Sequence, residues 1–434
     1  MMVLSRSVSI AASSNQAKIF PTIAQTPKMS THYEYRRCRA AVACTIRMPM
    51  GPLRGVRVLD LSMVVAGPFC TMMLGDLGAD IIKIEPPEGD IVRLGSEQAP
   101  RGVPIGVLNW NRNKRDMVLD LKKPGASDVF LRMAEKADIV VQNVRPGVVD
   151  RLGVGYEACA ARNPKIVYCS MAGYGFSGPL MNKPAYDPII QGLAGVMESQ
   201  RTGGQPRVVK NILADKVTAM TGVISILAAL HAAREEGRGQ HIQIAMIDAV
   251  AYYLMGDVLG NMTYLPHKSG MRPIKGTPDP LKTADGYIVI APLTDKHWQA
   301  LLEGIGHTEW FDGEDSRAEK VRKAMWKIIE LFPSKPSAHW LAIIEKADVP
   351  CAPVNDFDTI WKDPQFVANE TFGEYEHPKA GKVRAVRSPA RFSRTKPELW
   401  RHAPELGEHT DEILNDFGFS KSEVSGLRAA QIVR

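Results

Sequence analysis

Asp187 stands in the run Ala185-Tyr186-Asp187-Pro188-Ile189-Ile190-Gln191, immediately before a proline and an apolar stretch. The pattern marks a helix start. Pro188 takes the first helical position, where a missing N–H costs nothing, and Asp187 becomes the N-cap. Free backbone N–H groups and the helix dipole favour the ionised carboxylate there. Such a carboxylate serves either as a structural cap or as a nucleophile toward a carbonyl carbon, and the local pattern leaves both open. Shortly upstream, Gly173-Tyr174-Gly175-Phe176-Ser177-Gly178-Pro179 is a glycine-rich loop. It either presents backbone N–H groups to an oxyanion or acts as a flexible linker.

Two further stretches carry polar chemistry. Leu108-Asn109-Trp110-Asn111-Arg112-Asn113-Lys114-Arg115 is dense in cations and amides, suited to gripping phosphates or to a solvated turn. Gln142-Asn143-Val144-Arg145-Pro146-Gly147, with Asp150-Arg151-Leu152-Gly153, follows an apolar strand. Open α/β sheets bind ligands beyond strand carboxyl ends, although a polar loop with a salt bridge fits as well. A strand, a glycine turn, a helix and a second strand ending in Glu85 outline a nucleotide-binding β-α-β unit. Ala66-Gly67-Pro68 nevertheless offers one glycine where a dinucleotide fingerprint needs three, and Pro68 removes a backbone donor. A nicotinamide cofactor is therefore disfavoured, while Gly67 still permits close backbone approach to another ligand.

The elements that must position these residues alternate. Strands are expected at Val56–Leu61, Asp80–Glu85, Met117–Leu121, Asp138–Asn143, Ile166–Met171 and His241–Met246. Helices are expected from Gly67 to Leu77, at Gly125–Lys136, Tyr156–Ala161, Pro188–Met197 and Ala214–Arg234. Strands separated by helices imply a parallel sheet in an α/β domain. Pro86 to Lys123 reads as a polar, Pro/Gly-rich excursion ahead of the second helix. After Gly256 the texture changes. A Pro/Gly/Lys-rich connection spans 261–285, a strand follows at Gly286–Ala291, and helices follow at Asp295–Glu303, Ser316–Leu331 and Lys335–Lys346. The division expected is a leader over 1–50, a large domain over 51–254, a smaller α+β domain over 255–355, and a return to the large domain over 356–434.

The 434 residues are 45% apolar and 23% charged, as in ordinary soluble proteins. The formal charge of +7 is concentrated at the start. Arg6, Lys18, Lys28, Arg36, Arg37, Arg39 and Arg47 face only Glu34 in the first 50 residues, so the rest of the chain is almost neutral. No nucleic-acid or membrane partner is expected for such a body. Cys38, Cys44, Cys70, Cys159, Cys169 and Cys351 form no C-x-x-C pair and lie near no histidine cluster. They read as free thiols in a reducing compartment, with no metal site. The apolar run Val217–Ala233 contains Thr218, Thr221, Ser225 and His231, and reads as a core helix rather than a membrane span. The leader suits either a start codon placed too far upstream, with a cytoplasmic protein, or a transit peptide to the mitochondrial matrix.

Taken together, these segments resemble one family. Val58-Leu59-Asp60-Leu61, Ala66-Gly67-Pro68, Leu74 through Glu85, Gly89-Asp90 through Arg93, Asn113-Lys114-Arg115, Asn143 to Gly153, Gly173 to Pro179, Tyr186-Asp187 to Gln191, and Ala284-Asp285-Gly286-Tyr287 look like class III CoA-transferases, the CaiB/BaiF family. The resemblance spans residues 52–434. It implies a Rossmann-like large domain with an inserted small domain, and an interlocked homodimer. It also implies that Asp187 is the nucleophile in transfer of CoA from an acyl-CoA to a carboxylic acid. By the same resemblance Val65, Ala66, Lys114, Asn143 and Arg151 line the CoA site, with Lys114 and Arg151 toward its phosphates or pantetheine, and Gln191 is a motif marker. Coenzyme A enters as a substrate, with no tightly bound cofactor. Phe176 stands where many members carry a polar residue. Lys268-Ser269-Gly270-Met271-Arg272-Pro273 lacks the glycine run of the formyl-CoA:oxalate branch. A rival within the same fold, an α-methylacyl-CoA racemase, needs two bases around the α-carbon. That branch reads Gly-His-Asp where this chain has Tyr186-Asp187, and no histidine lies between His32 and His231.

Overall fold

Six short strands pair side by side in a computed structural model that describes residues 51–95, 99–266 and 279–434. They are β1 (Arg57–Asp60), β2 (Asp80–Glu85), β3 (Lys114–Val118), β4 (Ile139–Gln142), β5 (Val167–Ala172) and β6 (His241–Ala245). Every pairing is parallel and the spatial order is β3-β2-β1-β4-β5-β6. This is a doubly wound order, whose direction reverses between β1 and β4. The crevice at the carboxyl ends of those two strands is where such sheets take ligands.

Helices cover both faces. α1 (Ala66–Asp76) joins β1 to β2, α2 (Ile105–Trp110) precedes β3, and α3 (Ala126–Ala134) leads to β4. α4 (Val148–Arg151) and α5 (Tyr156–Arg162) lead to β5. α6 (Asp187–Leu193), α7 (Val196–Ser199) and α8 (Leu213–Glu236) lead to β6, and α9 (Met246–Val258) follows it. Alternate strand residues point to opposite faces, so neighbours divide between two cores. Leu59, Ile82 and Val140 pack with Phe130 and Met133 of α3. Val58, Ile81 and Val141 pack with Cys70 and Leu74 of α1 and with Ala219 and Ile226 of α8. Burial on both sides explains why β4 reads as a continuous apolar run. α8 is the one helix among the described residues long and apolar enough to cross a membrane. Its contacts with α1, α6, α9, β5 and β6 make it a core helix of this sheet.

A second, antiparallel sheet contains β7 (Leu281–Lys282), β8 (Tyr287–Ile290) and β9 (Cys351–Pro353). With α10 (Asp295–Ile305), α11 (Arg317–Leu331) and α12 (Ser337–Lys346) it encloses its own core around Trp298, Phe332 and Trp340. The chain continues through α13 (Pro364–Ala368), the hairpin β10 (Phe372–His377) and β11 (Gly381–Val386), α14 (Thr410–Asp416) and α15 (Lys421–Ala429). Ile413, Leu414 and Phe417 of α14 pack back into the core of the parallel sheet.

Three local expectations are corrected. The helix expected at Pro188–Met197 is broken into α6 and α7 at Gly195, whose φ of +87° is open to glycine at little cost. The third strand begins at Lys114 rather than Met117, because its charged residues, themselves buried, find ion-pair partners. The excursion from Pro86 to Lys123 contains α2. The leader over 1–50 and the run Lys268–Pro273 lie outside the described residues.

Candidate active site

β1 ends in Asp60, and the chain then turns through Ser62, Met63 and Val64 into α1. This turn lies at the reversal point and is held from three sides. Asn143, one residue past β4, accepts the Met63 N–H at 2.8 Å and donates to the Met63 carbonyl at 2.7 Å. Asp90 accepts the Val64 N–H with both oxygens at 3.1 Å. Lys83 donates to the Ser62 carbonyl at 2.9 Å and to Asp90 at 3.0 Å. The clamp sustains a backbone that Val64 would not adopt alone. Its φ is +70°, a left-handed value costly for a β-branched residue. Gly67 completes the close fit, since a Cβ there would land on the Ser62 side chain.

Asp187 is buried, 4% exposed. Its carboxylate does not cap its own helix. Tyr186 holds the cap position of α6, Asp187 is the first helical residue, and no side-chain cap bond is made. The carboxylate turns instead to the start of α8. Oδ2 accepts the Ala214 N–H at 2.6 Å and lies 3.4 Å from the Asp215 nitrogen, while Oδ1 accepts from Gln191 Nε2 at 2.6 Å. The anion therefore sits at the positive end of a 24-residue helix, on unpaired first-turn amides. Gln191, fully buried, also donates to the carbonyls of Val209 and Asn211 and accepts the Val209 N–H. It locks the segment before α8 onto Asp187, a positioning duty beyond that of a motif marker. Its signal in the sequence was its place one turn beyond the acid.

Asp215, the third residue of α8, lies beside this anchor with its amide 3.4 Å from Asp187 Oδ2. Burial and the neighbouring Asp187 push its carboxyl up to about 6, with the Ala66 amide opposing. Asn143 thus holds Met63 in the turn that leads to Val65 and Ala66, while Asp187 holds the start of α8. Sequence reasoning passed over Asp215 and gave Asp90 no duty beyond its place in the Gly89–Arg93 motif, because Asp187 and Val64 lie 28 and 26 residues from them.

Two expected ligand contacts behave differently. Arg151 ends α4 and is exposed beyond β4. Lys114 is fully buried, and its ammonium donates to Asp60, the Pro68 carbonyl and Asn111 Oδ1, each at 3.0 Å. With all three hydrogens bonded inside the protein, it presents none to a phosphate, and the expectation is corrected. Burial drives Lys114 down to about 8 against the pull of Asp60. Asp60, although burial raises it, is held below the usual carboxylate range by Lys114, Lys83, Ser62 and Thr71. The neighbouring Arg112 and Arg115 are likewise tied to Asp76 and to Asp80, Glu412 and Asp416.

Glu85, at the end of β2 where a dinucleotide fold holds a ribose, is buried. It accepts from the Arg93 guanidinium and the Asp90 N–H. With its oxygens so engaged, the nicotinamide reading loses its acid. Among the described residues the hydrogen-bond partners of Asp187 are amides, with no imidazole, and no cluster of His, Cys, Asp and Glu suits a metal ion.

The doubly wound sheet, with a clamped turn at its reversal point and a buried carboxylate, is an α/β fold of the ligand-binding kind. The model of CoA-transferase family III matches residues 53–410, and the chain belongs to that family. It is 34% identical to the succinyl-CoA:mesaconate CoA-transferase of Haloarcula marismortui over 388 residues, covering 85% of this chain and 97% of that protein. It is 31% identical to the human succinyl-CoA:glutarate CoA-transferase, covering 84% and 86%. A solved CaiB/BaiF family protein from Brucella suis superposes with a TM-score of 0.73 at 30% identity, covering 85% of this chain and 99% of that one.

Proposed function

We propose that this enzyme moves CoA from an acyl-CoA donor to a carboxylic acid acceptor through covalent intermediates on Asp187. The observation that carries the reading is the buried Asp187 carboxylate on the first-turn amides of α8. A carboxylate oxygen attacks the donor thioester carbonyl, the C–S bond breaks, and CoA leaves as a thiolate. The thiolate attacks the aspartyl carbonyl of the mixed anhydride, giving an aspartyl-CoA thioester and releasing the donor acid. The acceptor carboxylate attacks that thioester and expels the thiolate again. Return of the thiolate to the acceptor acyl carbon frees Asp187. Each step exchanges one acyl bond for another, so no net proton is consumed and one hard displacement becomes several easier ones.

In this reading Val65 and Ala66 line the CoA site with their backbone, Asn143 shapes it by clamping Met63, and Arg151 meets the CoA phosphates. The working unit is a homodimer, a reading that exposed apolar residues support: Tyr186, Ile189 and Leu193 of the α6 region, Ile224 of α8, and Tyr252 and Tyr253 of α9. Light scattering of a monomer at micromolar concentration would refute that part. The free thiols Cys70, Cys159 and Cys169, all buried, suit a reducing compartment, the cytoplasm or the mitochondrial matrix, which microscopy of the tagged full chain distinguishes.

The test is chemical trapping. Incubation with succinyl-CoA and hydroxylamine should yield a hydroxamate on the Asp187 peptide by mass spectrometry, and Asp187→Ala should lose both adduct and transfer. Transfer at the wild-type rate in that variant would overturn the assignment. A racemase reading requires exchange of the α-hydrogen of a 2-methylacyl-CoA with solvent deuterium, and none is expected.

A further inference from the structure

Three polar side chains form a hydrogen-bond relay across the parallel sheet, on the face packed by α4 and α5. Gln142 ends β4 and Ser170 is its register partner on β5, both buried. Gln142 Oε1 accepts the Val144 N–H at 2.9 Å, and its Nε2 donates to Ser170 Oγ at 2.8 Å. Ser170 Oγ lies 2.9 Å from Nε2 of the half-buried His241, the first residue of β6. The direction of the relay is fixed at one end. A backbone N–H can only donate, so Gln142 presents its oxygen to Val144 and its NH2 to Ser170. Ser170 then has its own hydrogen to place, and among the described residues its remaining partner is His241 Nε2. That nitrogen is therefore a bare acceptor, in a neutral imidazole with its proton on Nδ1.

The relay holds the root of a loop that the CoA site uses. Asn143, between Gln142 and Val144, clamps Met63 in the turn assigned to CoA. Gly147 of the same loop, at φ +77°, lies beneath Arg151, whose Nη1 a Cβ there would meet at 3.2 Å. His241 stacks on Tyr156 of α5 at 4.9 Å and meets Tyr168 of β5 edge-on at 5.4 Å. The charges that act on it are Asp150 of α4 and Glu157 of α5, which favour its protonation, whereas burial opposes it.

We propose that His241 is a positioning residue of the CoA site, holding the Asn143 loop in its binding form only while its imidazole is neutral. The proposal rests on the assignment of the Met63–Ala66 turn to CoA made above. Protonation puts a hydrogen on Nε2, and Ser170 must turn its hydroxyl away from the acceptor it has. The buried O–H loses its bond, and the Ser170 oxygen that receives Gln142 is shared with a second donor. Gln142 is then held less firmly, and with it the Val144 turn. Affinity for CoA falls as His241 takes up its proton. Plain attraction between an imidazolium and the CoA phosphates would have the opposite sign.

The experiment is calorimetric titration of CoA into wild type, His241→Gln and Ser170→Ala between pH 5 and 8. Gln keeps an acceptor oxygen near the place of Nε2 but does not ionise. Ser170→Ala leaves His241 able to titrate but cuts it off from Gln142. Titration of the CoA phosphates is common to all three proteins and drops out of the comparison. The wild-type dissociation constant, relative to that of His241→Gln, should rise about tenfold below about pH 6.5, the equivalent of one buried hydrogen bond. His241→Gln should match the wild type at pH 8. Ser170→Ala should bind more weakly than His241→Gln by the same factor at every pH. An acid limb that persists unchanged in either variant, or wild-type binding that tightens at acid pH, would overturn the proposal. Absence of CoA binding by the wild type at pH 8 would instead overturn the assignment of the turn, so the two failures are distinct.

Discussion

Lys114→Met separates a phosphate ligand from a buried structural cation. In the structure the substitution removes the ammonium that faces Asp60 at 3.0 Å, with both side chains fully buried. Breaking a buried pair by deleting one partner costs about 3–5 kcal/mol, because the surviving charge is left unpaired. Here the cost falls at the low end. Asp60 keeps hydrogen bonds from the Ser62 amide and hydroxyl and from Thr71, and Lys83 still acts on it. Lys114 itself, driven down to about 8, also pays heavily for burial, and methionine recovers part of that. A loss of about 3 kcal/mol follows, with the Pro68 carbonyl also left without its donor. Urea unfolding followed by tryptophan fluorescence measures it. Asp60→Asn in the same chain should recover part of the loss, since both charges of the pair are then gone. If Lys114→Met unfolds within about 0.5 kcal/mol of the wild type while KM for acyl-CoA rises and loses its salt dependence, the cation faces phosphate and the structural argument fails.

Val64→Gly should relieve the φ of +70° and leave stability unchanged or raised by up to about 1 kcal/mol, while kcat falls because the turn loosens. A marked drop in melting temperature would show that no strain is held there. His409, buried in the seam between β3 and the chain after β11, is pushed down to about 4 by burial and by Arg401, whose guanidinium lies 2.8 Å from Nε2. An unfolded histidine takes up its proton near 6.5, the folded one near 4, so stability is complete above 6.5 and declines between 6.5 and 4. The loss by pH 4 amounts to about 2–3 kcal/mol, and His409→Gln should flatten that slope in urea titrations; an identical slope would refute the assignment.

What could be read along the chain was what depends on near neighbours. β1, β2, β4, β5 and β6 each carry a short apolar stretch with helices between them, and for β4 and β5 burial on both faces explains the pattern. The segment Asn111–Arg115 defeated local reading because a cluster of charge is assigned to water unless its partners are visible. Those partners are 54 residues away for Lys114 and as far as 301 for Arg115. Asp187 shows the same limit in sharper form. The rule for helix starts looks three residues ahead, into α6, whereas the amide that holds the carboxylate lies 27 residues on, in α8. The helix-mouth environment was legible; the helix that supplies it was not. The hairpin β10–β11 was not among the expected elements: β11 alternates half-buried and exposed residues along its length, but β10 does so only in part.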